Sequence, residues 1–357
     1  MESTERIYLS RLDHLRFLAA FLVLTWHFVH EQFVPTSYVP SFFPLSLLEE
    51  GHTGVALFMV LSGFIFQYIN DGKEISYGKF IRNRLLRIAP LFILWSLYHI
   101  YVDNFDTVKS LVNGFLLLDP RQTPGVGWTI VVEFQFYLLF PFLHRWIDQK
   151  NGIRNVLLLL LVFFIFRGLA YAQTHTVQDV SYWTIFGRID QFLLGMLAAK
   201  MYRRIKLNGG LSFVVTVGAM LGIMFVYHVF NQAGGFYQEA KGHSPSAFWL
   251  VMPAIEGVFY ALLIIGYLSL PAVLFPKIID RSLARCGELS YSAYWCHLPV
   301  IIFLHYLMRE FQVTLTGFDT ALLVSTLVAV PVVFGFSALT YYLIERPFLL
   351  MRKKYTL

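Results

Sequence analysis

The chain is expected to be an all-α polytopic membrane protein of about ten transmembrane helices, with both termini cytoplasmic. Three observations predict this. Of 357 residues, 57% are hydrophobic and 14% charged, against roughly 45–50% and about 25% in soluble domains; the mean hydropathy is +0.60. Apolar stretches of about twenty residues, the length that crosses a bilayer, recur along the sequence. Basic residues gather in blocks between those stretches. The composition excludes a soluble globular enzyme, a disordered chain and a disulfide scaffold. Ten helices leave only short loops, so the expectation is a single membrane-embedded domain over 1–357, with a core at about 11–350 and no appended soluble domain.

The apolar segments lie at about 13–32, 53–70, 85–102, 128–147, 156–172, 184–202, 211–230, 248–275, 289–307 and 321–345. The first, Phe17 to Trp26, continues through His27 with no small-residue cleavage site, so it is a spanning helix rather than a signal peptide. It follows Arg6, Arg11 and Arg16. The second ends before Lys73, and Lys79 to Arg87 precede or open the third. Leu111 to Leu118 is too short to span and suits a re-entrant or interfacial piece. Arg145, Lys150 and Arg154 separate the fourth and fifth segments, and Lys200 to Lys206 the sixth and seventh. Lys277, Arg281 and Arg285 precede the ninth, and Arg346 to Lys354 follow the tenth. With the N-terminus inside, alternation puts 22 of the 28 Lys and Arg residues on the cytoplasmic side. Only Lys109, Arg121, Lys241 and Arg309 fall outside, and Arg167 and Arg188 lie within segments. The positive-inside rule predicts this asymmetry, and a missed helix in mid-chain would invert it. The expected location is the inner, cytoplasmic membrane of the cell.

The formal charge of +6 does not point to nucleic acid, because the cations are dispersed between apolar segments. Cys286 and Cys296 have neither a convincing disulfide setting nor metal-ligand spacing, so no metal is expected.

Ionisable groups at bilayer depth are costly and mark candidate sites. His27 lies eleven residues after Arg16, about three turns and roughly 16 Å along a helix. The two side chains share a face, with His27 near mid-membrane; the alternative is a packing histidine bonded to a neighbouring helix. Glu133 follows Trp128 and precedes Gln135 and Tyr137, with Tyr137 one turn along the same face. It is either a carboxylate that orients an imidazole or an acid on the helix dipole. Arg84 and Arg87, three apart at a helix start, suit bidentate phosphate binding or plain topology anchoring. Arg188 and Asp190, two apart, cannot face each other on a helix, so each needs a partner elsewhere. For Arg167, Glu256, His228, His297 and His305 a structural role is favoured. Glu345-Arg346 reads as local charge neutralisation.

These elements suggest a transferase that grips a phosphorylated donor from the cytoplasm and reacts its far end inside the membrane. A rival class is a proton-coupled secondary transporter, against which there is no internal repeat. A blander membrane scaffold leaves the pairing of Arg16 with His27 unexplained.

The sequence resembles acyltransferase family 3. The matching residues are Leu12-Asp13-His14-Leu15-Arg16 leading to His27, the family's basic-x10-His motif; Gly54 to Phe58 and Leu61 to Phe64; the RxxR pair Arg84 and Arg87; and Trp128-Thr129-Ile130-Val131-Val132-Glu133-Phe134-Gln135-Phe136-Tyr137. Later matches are Arg188 to Phe192 with Gly195, Leu289 to Tyr294 with His297-Leu298-Pro299, and Tyr341 to Pro347. Thr129 replaces a usual Ser, and Phe134 a frequent acid. The resemblance implies catalysis by His27 with Glu133 in support, and acyl-CoA, with acetyl-CoA the expected form, as a donor substrate bound by Arg16, Arg84 and Arg87. Trp128, Gln135, Tyr137, Arg188 and Asp190 are supporting candidates. It implies a hydroxyl of a saccharide or lipid-linked glycan as acceptor and no permanently bound cofactor; the outer loops at 33–52, 103–127 and 231–247, whose Tyr, Phe and acids suit a sugar, are expected to select the acceptor. An oligomer is compatible with the sequence. The chain ends soon after the tenth segment, so transfer is expected within the membrane domain.

Overall fold

The structure, a computed structural model, describes residues 9–30, 41–103, 123, 125–237, 247–271, 274–315 and 317–356. The predicted piece Leu111–Leu118 and most of the three loops expected to select an acceptor lie outside the described residues.

Each of the ten apolar segments is helical. They are α1 (Ser10–His30), α2 (Gly54–Asn70), α3 (Tyr77–Asp103), α4 (Trp128–Ile147), α5 (Gly152–Thr174), α6 (Ile185–Arg204), α7 (Gly209–Gln232), α8 (Met252–Ser269), α9 (Ser290–Glu310) and α10 (Phe318–Leu350). Among the described residues, α1, Gly51–Asn70, α5, α7, α8 and α10 are long and apolar enough to cross a membrane. The remaining helices, α3, α4, α6 and α9, carry Arg84, Arg87, Glu133, Arg188, Asp190 and His297. These polar residues depress the mean hydropathy of the segments that carry them. The protein is an all-α, multi-pass membrane protein.

Three local features differ from the sequence expectation. Helix α3 starts at Tyr77, eight residues before its apolar stretch, so Arg84 and Arg87 sit well inside it rather than at its start. A further helix, Lys277–Glu288, lies between α8 and α9. Its charges mask it in a hydropathy reading, and it seats on the first turns of α1: His14 bonds the Asp280 carbonyl and the Tyr267 hydroxyl. Helix α10 widens into π turns at Ser325–Ala329 and Tyr341–Glu345. Pro331 and Pro347 follow these turns, and proline removes the backbone donor that regular winding needs.

Helix α2 packs most closely against α6, and α1, α4, α5 and α8 surround this pair. The contact is backbone to backbone: a Cβ on Gly63 would stand 2.1 Å from the Phe192 carbonyl, and one on Gly195 2.1 Å from that of Val60. Small residues facing one another are how helices approach without a hydrophobic driving force. The outer helices look different. Of the most apolar window, 72% is buried in α1 but only 17% in α5 and 22% in α7. The outer pair leaves Leu157, Leu158, Leu161, Phe213 and Phe225 exposed, an apolar face for which lipid is the natural solvent.

Two of the buried ion pairs among the described residues tie α5, α6 and α8 together. Arg167 reaches Asp190 at 2.6 Å, and Arg188 lies 3.6 Å from Glu256. Arg188 and Asp190 thus each find the separate partner that their spacing requires. Glu256 also accepts bonds from Thr53 and Gln191, both at 2.8 Å, and from Tyr227.

Polar contacts join the helix ends that alternation assigns to one side. Arg11 on α1 bonds the Leu270 carbonyl after α8, and Asn83 on α3 bonds the Lys353 carbonyl after α10. Asp148, after α4, meets Lys200 of α6 at 2.5 Å and Gln67 of α2 at 2.9 Å. Burial, the largest influence, pushes the Asp148 carboxyl up, but the Lys200 hydrogen bond, the charges of His144 and Lys200 and the Gly72 amide together hold it below the ordinary aspartate value. A depressed carboxylate contributes stability above its unfolded value, and loses it as pH falls through the folded one. Melting in detergent should therefore show an acid-induced drop that is smaller in Asp148→Asn. An equal drop in that variant would exclude this carboxylate as its source.

Candidate active site

A cavity among the described residues has a volume of about 140 Å³, room for roughly ten water molecules. Arg16 of α1, Ser62 and Phe66 of α2, Arg84 and Arg87 of α3, Thr129, Glu133 and Tyr137 of α4, and Tyr291 and Tyr294 of α9 line it. Five predicted site residues, Arg16, Arg84, Arg87, Glu133 and Tyr137, therefore share one space. At about 140 Å³ it is too small for a nucleotide.

The three arginines differ in what neutralises them. Arg16 bonds the buried Asp13 carboxylate at 2.6 Å, one turn earlier on α1. Arg87 pairs with Glu345 of α10, which is 1% exposed and also accepts from Ser292 at 2.7 Å. Glu345 thus serves Arg87 across the bundle, correcting the local pairing with Arg346 that the sequence suggested. Arg84 makes no ion pair among the described residues. Its guanidinium lies over the rings of Phe66, Phe80 and Tyr137, at 4.9, 5.4 and 5.8 Å, and its buried Nε has no hydrogen-bond partner. Aromatic faces hold a cation without cancelling its charge, so Arg84 is the cation most available to an anionic ligand.

Glu133 accepts from Ser62 at 2.9 Å and from Tyr137 at 2.5 Å. It does not reach His27, so the expected Glu133–His27 pair is not formed. His27 sits one turn from the far end of α1, half-buried and outside the cavity wall. Its Nδ1 lies 2.9 Å from the Val23 carbonyl and 3.3 Å from Nε2 of His297 on α9. Nδ1 of His297 lies 2.6 Å from the Tyr294 carbonyl. A carbonyl only accepts, so in the neutral rings both Nδ1 atoms carry the hydrogen. His297 then offers the lone pair of Nε2 to the Nδ1–H of His27, and Nε2 of His27 is left unprotonated. That is the tautomer a general base or nucleophile requires.

Tyr294 stands between the cavity and this histidine pair. Its hydroxyl accepts from Thr129 at 2.6 Å and donates to the Val126 carbonyl at 3.0 Å, and its ring centroid is 5.6 Å from that of His297. Past His27, His52 is enclosed by the rings of Trp26, Tyr182, Phe236 and Trp249, and its Nε2 is 3.3 Å from Glu50. Trp128 lies outside the cavity wall and packs on Tyr182 and Trp183. Gln135, Arg188 and Asp190 are also outside the wall; Arg188 rests 4.2 Å over the Tyr182 ring. Among the described residues no three His, Cys, Asp or Glu side chains are grouped to hold a metal ion. The residues that sequence reasoning left out of the site are Ser62, Tyr294, His297 and Glu345. The segment Leu289 to Tyr294 with His297 and Tyr341 to Pro347 carried signals for three of them.

Residues 9–342 match the family model described as "Acyltransferase domain". The chain is similar to the O-acetyltransferase OatA of Staphylococcus aureus (strain NCTC 8325 / PS 47), 24% identical over 386 residues, a match covering 97% of this chain and 58% of the relative. It is 23% identical to the putative acetyltransferase ORF330 of Acidianus two-tailed virus, over 82% of this chain and 84% of that one. It is 29% identical to the acyltransferase MdmB of Streptomyces mycarofaciens over 42% of each chain. The chain thus spans less than two thirds of the length of its OatA relatives. No solved structure matches it significantly.

Proposed function

This chain belongs to acyltransferase family 3, whose domain model spans residues 9–342, and from that premise we propose that it is an O-acyltransferase using cytoplasmic acyl-CoA. The acyl group is acetyl, by analogy with the relatives named O-acetyltransferase OatA and putative acetyltransferase ORF330, and the acceptor is a hydroxyl of a saccharide or lipid-linked glycan. The observation that carries the reading is the convergence of Arg16, Arg84 and Arg87 on one narrow cavity with Glu133 and Tyr137. Such a space suits a donor with an anionic head and a slender arm. The nucleotide stays at the basic mouth while the pantetheine arm enters. Arg84 supplies the unneutralised charge for the phosphates, with Arg16 and Arg87 adding to the field. Glu133 fixes Ser62 and Tyr137 in the cavity wall.

In the transfer, Nε2 of His27 takes the proton of the acceptor hydroxyl as the oxygen bonds to the thioester carbonyl carbon. The carbon–sulfur bond then breaks, and the proton passes from His27 to the departing thiolate. The products are the O-acyl ester and free CoA. We further propose ten spans with both termini inside, in the cytoplasmic membrane, and no resident cofactor. The family match does not favour the transporter reading.

The test uses purified protein in proteoliposomes, with acetyl-CoA outside and a glycan acceptor inside. Release of CoA thiol matched by new O-acetyl ester in the lumen is the expected result. Solute uptake with no thiol release would overturn the assignment.

A further inference from the structure

We propose that His297 is a positioning residue for His27, holding the reactive imidazole in the tautomer and orientation that transfer requires; this rests on the acyltransferase reading above. The carboxylate expected for this task, Glu133, is engaged with Ser62 and Tyr137. What lies against Nδ1 of His27 is the Val23 carbonyl at 2.9 Å and His297 Nε2 at 3.3 Å. The Val23 carbonyl belongs to His27's own helix and follows α1 wherever it moves. His297 comes from α9 and is 1% exposed, so it registers the ring against the rest of the bundle.

The chain of bonds has one direction. The Tyr294 carbonyl accepts from Nδ1–H of His297 at 2.6 Å. That leaves the His297 Nε2 lone pair to accept from Nδ1–H of His27. When His27 takes a proton at Nε2, its Nδ1–H becomes a stronger donor, and the two acceptors already in place support the cation. A second neutral ring does this with no buried countercharge, which suits a low-dielectric setting in which an unpaired carboxylate is costly. Tyr294 also lines the donor cavity, so the residue that anchors His297 touches the space the donor arm enters.

The experiment compares His297→Gln, which keeps an acceptor oxygen at similar reach, with His297→Leu, which has no polar group. Both are purified in nanodiscs beside wild type and His27→Ala, and thiol release from acetyl-CoA is followed with saturating acceptor. His297→Leu should lower kcat by about tenfold to a hundredfold, the usual effect of misorienting a catalytic group, with KM for acetyl-CoA unchanged. His297→Gln should recover most of that loss. Should the leucine variant melt well below wild type, His297→Met supplies the same comparison. An unchanged kcat without the acceptor atom overturns the proposal, as does a glutamine variant no better than leucine, since packing alone would then account for the loss. Full activity in His27→Ala would instead defeat the acyltransferase reading of His27. An inactive His27→Ala beside a fully active His297→Leu defeats only the role of His297.

Discussion

His27→Ala is expected to lower acyl transfer by on the order of 10²–10⁴-fold, the contribution of a positioned general base, while leaving CoA binding unchanged. The split follows from geometry. His27 is outside the wall of the cavity that holds the arginines, so its removal takes nothing from the donor's binding surface. Its Nδ1 is committed to Val23 and His297, so the lost function is that of Nε2. Steady-state thiol release gives kcat, and calorimetric titration with CoA gives affinity. A large fall in kcat with constant affinity is the predicted pattern. A variant that transfers at the wild-type rate would remove His27 from the mechanism.

The second large effect separates two arginines that the sequence treats alike. Arg87→Met strips Glu345 of its cation, leaving a carboxylate that is 1% exposed with Ser292 as its remaining partner. Breaking a buried pair from one side costs about 3–5 kcal/mol, so this variant should melt far below wild type. Arg87→Met combined with Glu345→Gln should regain most of the loss, because no charge is then stranded. Arg84→Met abandons no ion-paired acid among the described residues. Its loss should appear as a donor KM raised roughly tenfold to a hundredfold, the equivalent of a charge-assisted hydrogen bond worth about 1.5–3 kcal/mol. Thermal melts in detergent and donor titrations of the same three proteins check both halves. Equal melting of Arg84→Met and Arg87→Met would refute the distinction.

Much of the architecture was legible because a bilayer imposes a length and a charge rule on the chain. Ten apolar stretches became ten helices, and the polar contacts at their ends join what alternation grouped. The residues of the arginine-lined cavity were legible for a similar reason. Arg16, Arg84, Arg87, Glu133 and Tyr137 are ionisable or polar groups at depths where such groups are expensive, and the fold collects them. What spacing along a chain cannot convey is which helix stands next to which. Depth and face made Glu133 a fair partner for His27, but α9 is the neighbour there, and His297, 270 positions away, takes the place. The same blindness made Glu345 look like the counterion of its sequence neighbour Arg346. The Lys277–Glu288 helix escaped for another reason: a hydropathy reading sees charge, whereas a helix lying on others needs only one apolar face.

Tyr294 has a consequence for the cell rather than for the reaction. Held by Thr129 and the Val126 carbonyl, it lines the cavity and packs beside His297. An enzyme that passes a group from one aqueous compartment to another must not become a leak for protons and metabolites between strokes. If the proposed transfer across the bilayer holds, a phenol fixed at this point would limit the passage of solutes beyond it, which proton-leak measurements on Tyr294→Ala proteoliposomes would reveal.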